Sequence, residues 1–143
     1  MLENLSIKNF VIVDHLELNF KSGFSALTGE TGAGKSILIG ALSLALGQRA
    51  DSGEVRHNTD KSDISATFNI QDNINAQEWL KLNDLESDEG TLLLRRVIYQ
   101  DGKSKGFING IPATINQLKS IGELLIDIYS QTSHHSLLKN STQ

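Results

Sequence analysis

The sequence predicts an α/β fold, in which helices pack on a mixed sheet and an antiparallel β subdomain accompanies the core. Two segments near the start, beginning at Leu5 and at Val11, alternate apolar and polar residues and predict a pair of antiparallel strands. Residues 24–28 have strand character, and they precede a glycine-rich segment over 29–36 and an apolar helical segment over 37–46. The order strand, glycine loop and helix is typical of α/β proteins.

The middle of the chain supplies the antiparallel part of this prediction. Residues 64–70 alternate strictly between apolar and polar, which predicts a half-buried strand, and residues 76–82 predict a short amphipathic helix. Residues 92–100 form an apolar run, and the dipeptide Asn109-Gly110 follows between apolar segments. Because Asn-Gly is the strongest short signal for a two-residue hairpin, we expect antiparallel strands on both sides of it.

The last part predicts a helix and then a buried strand. Thr114 and Gln117 stand three residues apart, as in a capping box, and they predict a helix over residues 115–121. Residues 124–128 then form an apolar run that only Asp127 interrupts. Such a run is typical of a central strand that is buried on both faces, so it predicts the parallel core of the sheet.

Composition limits the classes of protein that this chain can represent. With 143 residues, 38% of them hydrophobic, we expect a single domain over residues 1–143 with a substantial core. The net charge of −4 is the wrong sign for a domain whose main task is to hold a nucleic-acid backbone. The chain has no cysteine, no apolar run near 18 residues and no basic start typical of a signal peptide, so we expect no thiolate metal site, no membrane contact and a cytoplasmic location.

Residues 29–36 read GETGAGKS and satisfy the phosphate-binding pattern GxxxxGK[ST] completely. Backbone N–H groups at a helix N-terminus can replace the water that a triphosphate loses, and glycines allow the close approach that this requires. In this pattern, Lys35 reaches the β- and γ-phosphates and Ser36 ligates Mg²⁺. The sequence therefore predicts a P-loop NTPase that binds a nucleotide with Mg²⁺. The predicted phosphate-binding residues are Gly29, Glu30, Thr31, Gly32, Ala33, Gly34, Lys35 and Ser36.

Several further segments are similar to the RecN family of bacterial DNA repair proteins. The segments that carry the resemblance are residues 5–10 (LSIKNF), 28–36 (TGETGAGKS), 41–42 (AL), 46–51 (LGQRAD), 94–98 (LRRVI), 108–110 (ING) and 127–128 (DI). They occur in the order known from that family, and the resemblance runs from residue 1 to about residue 138. The chain thus resembles the N-terminal lobe of a RecN ATPase head, which is itself similar to the heads of SMC and other ABC-type ATPases.

The resemblance implies a split head. The C-terminal lobe of the same protein would bring the signature motif, the Mg²⁺-holding Asp and the catalytic Glu after a long coiled coil, and a second head would complete a homodimer around ATP. DNA would be bound through the full-length protein at the nucleoid. By the same resemblance Gln131 reaches Mg²⁺ and the attacking water, so the implied catalytic residues are Lys35 and Gln131 and the implied metal ligands are Ser36 and Gln131. Arg56 falls near an SMC arginine that couples DNA to ATP.

Two other functions remain open from the residues alone. If residues 124–128 are a strand, Asp127 could hold Mg²⁺ as the second nucleotide motif of a small, self-contained NTPase or nucleotide kinase. Alternatively, the chain could be a nucleotide-gated scaffold that does not hydrolyse ATP. Arg95 and Arg96 could contact DNA, but neighbours on a strand point to opposite faces, and we predict a solvated face for them.

Overall fold

A computed structural model of the chain describes residues 2–11, 13–20, 32–50, 55–86 and 90–130. The strands are β1 (Leu2–Phe10), β2 (Val13–Asn19), β3 (Lys61–Asn69), β4 (Thr91–Tyr99), β5 (Ser104–Ile108) and β6 (Ile111–Ala113). The helices are α1 (Gly32–Ala45), α2 (Ile74–Leu82) and α3 (Ile115–Ser130). The strands form one six-stranded sheet in the spatial order β2-β1-β3-β4-β5-β6.

All strand pairs within the described ranges are antiparallel. This confirms the predicted pairing of the two N-terminal strands and the predicted hairpin. The parallel part of the predicted sheet is not found among these strands, and residues 24–28, which the prediction places there, lie outside the described residues. The α/β class is confirmed, because helices pack on the sheet.

One face of the sheet, the inner face, packs against α1. The strict alternation of β3 buries Ile64, Ala66 and Phe68 on this face, as the period-2 pattern predicted. Helix α1 contributes apolar residues at intervals of three or four positions, which is the spacing of one helix face. Among residues 36–45 of α1, the buried ones are Leu38, Ala41, Leu44 and Ala45. The opposite face of the sheet is called the outer face below.

The turn at Asn109 and Gly110 connects β5 and β6. Both residues have positive φ, +52° and +82°, which is the requirement of a type I′ turn and explains the Asn-Gly pair. The Asn109 side chain also accepts a 2.9 Å hydrogen bond from the amide of Leu93 and donates a 2.7 Å bond to the carbonyl of Leu85. The predicted hairpin is confirmed, and Asn109 ties it to β4 and to the segment after α2.

Helix α3 begins where the capping box predicted and continues beyond the predicted end. The amide of Thr114 donates to Gln117 Oε1 at 2.9 Å, and the amide of Gln117 donates to Thr114 Oγ1 at 3.0 Å. The prediction of a buried strand over residues 124–128 is wrong, because this segment is the last part of the same helix. The buried residues of α3 recur at helical spacing: Leu118, Ile121, Gly122 and Leu125.

Candidate nucleotide-binding site

The second half of the glycine-rich motif forms the first turn of α1. The helix begins at Gly32, so residues 32–36 lie in this turn. The first N–H groups of a helix have no intrahelical acceptor, and the helix dipole places partial positive charge at the same end. This end of α1 is therefore suited to phosphate oxygens, as the motif predicts.

Ser36 is exposed in the same turn. An exposed hydroxyl beside the free N–H groups can reach a metal ion held by bound phosphates, so this residue fits a Mg²⁺ ligand. The structure brings together residues 32–36 of the predicted site. Gly29, Glu30, Thr31 and Gln131 lie outside the described residues.

The middle and end of α1 are fixed by neighbouring elements. A Cβ built on Gly40 would lie 3.8 Å from the Phe10 ring, so the third turn of α1 packs on the end of β1. After the helix, the Gly47 amide donates to Leu44 O and the Gln48 amide to Ser43 O, each at 3.1 Å. Gly47 has a φ of +97°, a conformation that favours glycine at a helix C-terminus.

Gly47 also allows helix α3 to approach the end of α1. A Cβ at this position would lie 2.7 Å from the backbone nitrogen of Lys119, which is closer than atoms can pack. On the other side of this contact, a Cβ on Gly122 would lie 3.0 Å from the carbonyl oxygen of Leu46. The C-terminal end of α1 is thus held directly against α3.

Arg96 lies on the inner face and completes this junction, so the predicted solvated face is wrong for this residue. It is only 2% exposed. Its Nη1 donates to Leu44 O at 2.7 Å and to Gln48 O at 2.8 Å, while Nε and Nη2 donate to Ser104 Oγ at 3.3 and 3.1 Å. The guanidinium therefore connects β4, β5 and the end of α1.

Sequence reasoning missed this role, because both faces of β4 carry apolar residues. Leu94 and Ile98 flank Arg96 on the inner face, whereas Leu93 and Val97 flank the neighbouring arginine. Alternation shows that the two arginines point to opposite faces, but it does not tell which face is the core. Only the packing of α1 decides that.

Arg95 lies on the outer face. Its Nη2 and Nε donate to the Asp63 carboxylate at 2.6 and 3.0 Å, and its guanidinium carbon lies 5.3 Å from the centroid of the Phe107 ring. The hydrogen bond to Asp63 raises the pKa of Arg95, against the opposing effect of burial. Its side chain is 40% exposed, so the predicted solvated face is confirmed for this residue.

Arg56 follows an isolated bridge between Phe10 and Val55. Its amide donates to Asn9 O at 2.8 Å, and its guanidinium lies 3.6 Å from the carboxylate of Asp14. Asn9, near the end of β1, and Val11, just after this strand, both have a φ of +54°. Such a φ is strained for a β-branched residue such as Val11.

The described part of the chain holds no group of three or more His, Asp or Glu side chains placed to bind a metal ion. None of its helices is long and apolar enough to cross a membrane. Asp127, the alternative magnesium ligand, belongs to helix α3 and not to a strand.

Comparison with known proteins agrees with the sequence and the fold. A family model described as an AAA domain matches residues 4–142. The chain is 49% identical over 144 residues to the DNA repair protein RecN of Vibrio cholerae serotype O1, covering 100% of this chain and 26% of that protein. It is 38% identical over 140 residues to RecN of Bacillus subtilis strain 168, covering 98% and 24%. The predicted similarity to RecN is confirmed.

A solved structure supports the fold. It is described as "Structural biochemistry of ATP-driven dimerization and DNA stimulated activation of SMC ATPases", and it superposes with a TM-score of 0.66 at 24% identity. The match covers 87% of this chain and 79% of that chain. The predicted SMC head-like fold is thereby confirmed. The chain spans about a quarter of the length of the curated RecN relatives that it matches.

Proposed function

The chain belongs to the AAA domain family, and on this premise we propose that it is the ATP-binding lobe of a RecN-like ATPase that acts in recombinational repair of DNA double-strand breaks. The observation that carries the proposal is the position of the GxxxxGK[ST] motif, because its second half forms the first turn of α1. The similarity to RecN proteins along the whole chain supports the repair role.

The chemistry of binding follows from this first turn. Its N–H groups would donate to the phosphate oxygens, and the Lys35 ammonium would neutralise charge on the β- and γ-phosphates. Ser36 would hold Mg²⁺ through its hydroxyl, and Gln131, by the resemblance to RecN, would supply a second ligand and orient water. Mg²⁺, when bound, neutralises charge on the terminal phosphates.

Hydrolysis requires other parts of the protein. The N-terminal lobe needs the C-terminal lobe of the same protein, which supplies the catalytic acid, and a second head that closes over the nucleotide. DNA is bound through the full-length protein, because a lobe with a net charge of −4 offers only local contacts to phosphates. The protein then works in the cytoplasm, at the nucleoid, and this lobe alone hydrolyses essentially no ATP.

The self-contained NTPase loses its main support. It required Asp127 at the end of a buried strand beside the phosphate loop, and Asp127 lies in helix α3. The nucleotide-gated scaffold differs from the ATPase only in the absence of hydrolysis. It therefore predicts ATP-dependent assembly without phosphate release after the missing lobe has been added.

The first experiment measures nucleotide affinity. Binding of a fluorescent ATP analogue to the 143-residue chain is followed by anisotropy with and without Mg²⁺, in the wild type and in Lys35→Ala. We expect weak binding that Lys35→Ala lowers at least about tenfold, since the ammonium contacts the terminal phosphates. Lys81→Ala, which changes an exposed lysine in α2, serves as the charge-matched control and should bind as the wild type. Equal affinity in the wild type and Lys35→Ala would reject the site.

A second measurement separates ATPase from scaffold. The chain is mixed with the C-terminal lobe of the 49% identical Vibrio cholerae relative, and phosphate release is recorded. We expect release only from the mixture, and none with Lys35→Ala. Release from the chain alone that is lost in Asp127→Ala would restore the small NTPase, and nucleotide-dependent assembly without any release would favour the scaffold.

A further inference from the structure

We propose that Arg96 is a positioning residue for nucleotide binding, which sets the orientation of helix α1 by holding the end opposite to the phosphates. This inference rests on the proposed function, because it assigns to α1 the task of holding phosphates. Arg96 belongs to no part of the GxxxxGK[ST] motif, and it lies on β4, 60 positions beyond Ser36 in the sequence.

The contacts fix the helix in two directions. Nη1 binds the carbonyl of Leu44 within the last turn of α1 and that of Gln48 just after it, at 2.7 and 2.8 Å. Nε and Nη2 both bind Ser104 Oγ on the adjacent strand. These bonds use four of the five guanidinium N–H donors, so the plane of the group is defined. The C-terminal end of α1 is thus attached through Arg96 to β4 and, through Ser104, to β5.

Charge favours the same arrangement. The last carbonyls of a helix carry partial negative charge and have no intrahelical donor, so a cation is stabilising there. A guanidinium is suited to this position because its planar fork reaches two carbonyls and a hydroxyl at once. A lysine would retain the charge but, as a single point, could not fix the same directions.

Because α1 is long, a small change in the orientation of its C-terminal end displaces its N-terminal end. A helix of 14 residues is about 21 Å long, since each residue adds about 1.5 Å. A tilt of about 5° at one end therefore moves the other end by about 2 Å, as follows from that length. Binding sites generally require their donors within about 0.5 Å of the productive geometry. A loosened C-terminal end would misplace the phosphate-binding N–H groups.

The test compares Arg96→Lys and Arg96→Met with Arg95→Met, its neighbour on the outer face. Affinity for the fluorescent ATP analogue is measured at a temperature at which circular dichroism shows each variant folded. We expect affinity about threefold lower in Arg96→Lys and about tenfold lower in Arg96→Met, with Arg95→Met unchanged. If Arg96→Met does not fold, Arg96→Lys and Ser104→Ala replace it in the test. Ser104→Ala removes the contact of Arg96 to β5, and we expect both variants to bind the ATP analogue more weakly than Arg95→Met.

Amide hydrogen exchange distinguishes positioning from loss of structure. The amides of residues 46–48 should exchange faster in the Arg96 variants, because their acceptors lie in the loosened turn, while the amides of residues 37–40 stay protected within α1. Leu80→Ala, a core change in α2, is the control for general destabilisation and should leave nucleotide affinity unchanged.

Wild-type nucleotide affinity in both Arg96 variants would overturn the proposal, and so would an equal loss of affinity in Arg95→Met or Leu80→Ala. It would also be overturned if the amides of residues 37–40 exchanged faster together with those of residues 46–48. Failure of the proposed function is recognised separately. In that case wild type and Lys35→Ala bind nucleotide equally, and Arg96 has no role in binding, while exchange at residues 46–48 still reports whether it anchors the helix.

Discussion

Arg95 and Arg96 are neighbours on β4, yet they lie on opposite faces of the sheet and bind in different ways. Arg95 is partly exposed and pairs with one carboxylate on the outer face. Arg96 is almost completely buried and donates to two backbone carbonyls and a hydroxyl at the junction of α1, β4 and β5. The same side chain thus serves a surface ion pair in one case and an internal connection between elements in the other.

This difference in burial predicts which of the two faces tolerates substitution. Water and salt can replace most of what Arg95 contributes, because exposed ion pairs gain little over solvation. The Arg96 guanidinium is buried, so the loss of its donors removes hydrogen bonds that water does not readily replace. We therefore expect the inner junction to be sensitive to substitution and the outer face to be tolerant.

We expect the greatest loss of stability from one of two single substitutions, in which each arginine is replaced by methionine. Arg96→Met should lower the free energy of unfolding by about 4 kcal/mol, since it removes hydrogen bonds from a charged group to two carbonyls, each worth about 2 kcal/mol. Arg95→Met should cost about 1 kcal/mol or less. Urea denaturation followed by circular dichroism measures both. Equal costs would mean that the two faces do not differ as described.

Two glycines with nearly equal φ allow the same comparison without any charge. Gly47 (+97°) lies at the inner junction and Gly102 (+93°) at the tip of the β4–β5 hairpin, where a Cβ meets nothing within 4 Å. Gly47→Ala should cost about 3 kcal/mol, because backbone strain adds to the collision with Lys119, whereas Gly102→Ala should cost about 1 kcal/mol from strain alone. Thermal unfolding of both variants tests this, and a difference near zero would mean that α3 does not pack on Gly47.

The smallest expected effect concerns salt. Asp63→Asn removes the partner of Arg95 and should cost about 0.5 kcal/mol at low ionic strength, and this cost should nearly vanish in 1 M NaCl. The cost of Arg96→Met should be the same at both salt concentrations, because salt does not penetrate the junction. Since the pKa of Arg95 is raised from a value already far above neutrality, its charge is present in both folded and unfolded chains and adds no pH dependence near pH 7. A salt-sensitive cost for Arg96→Met would argue against its burial.

Local signals predicted most of the antiparallel elements. The alternation in β3, the Asn109-Gly110 turn and the Thr114–Gln117 capping box each act between residues close in sequence, and the structure confirms all three. The run over residues 124–128 misled because a short apolar run has no clear period, and Gly122 just before it reads as a helix end. In the fold Gly122 lies within α3, where its lack of a Cβ admits Leu46.

The sequence alone shows that a GxxxxGK[ST] motif is present, and it predicted the helix that follows, because the motif's residues are contiguous and its second half opens α1. It also determined where antiparallel strands turn and where α3 begins, since these depend on neighbouring residues. Only the tertiary structure decided which of the two adjacent arginines is buried and how α1 is held at its far end. Both outcomes depend on the packing of elements that are distant along the chain, and a local sequence pattern does not contain this information.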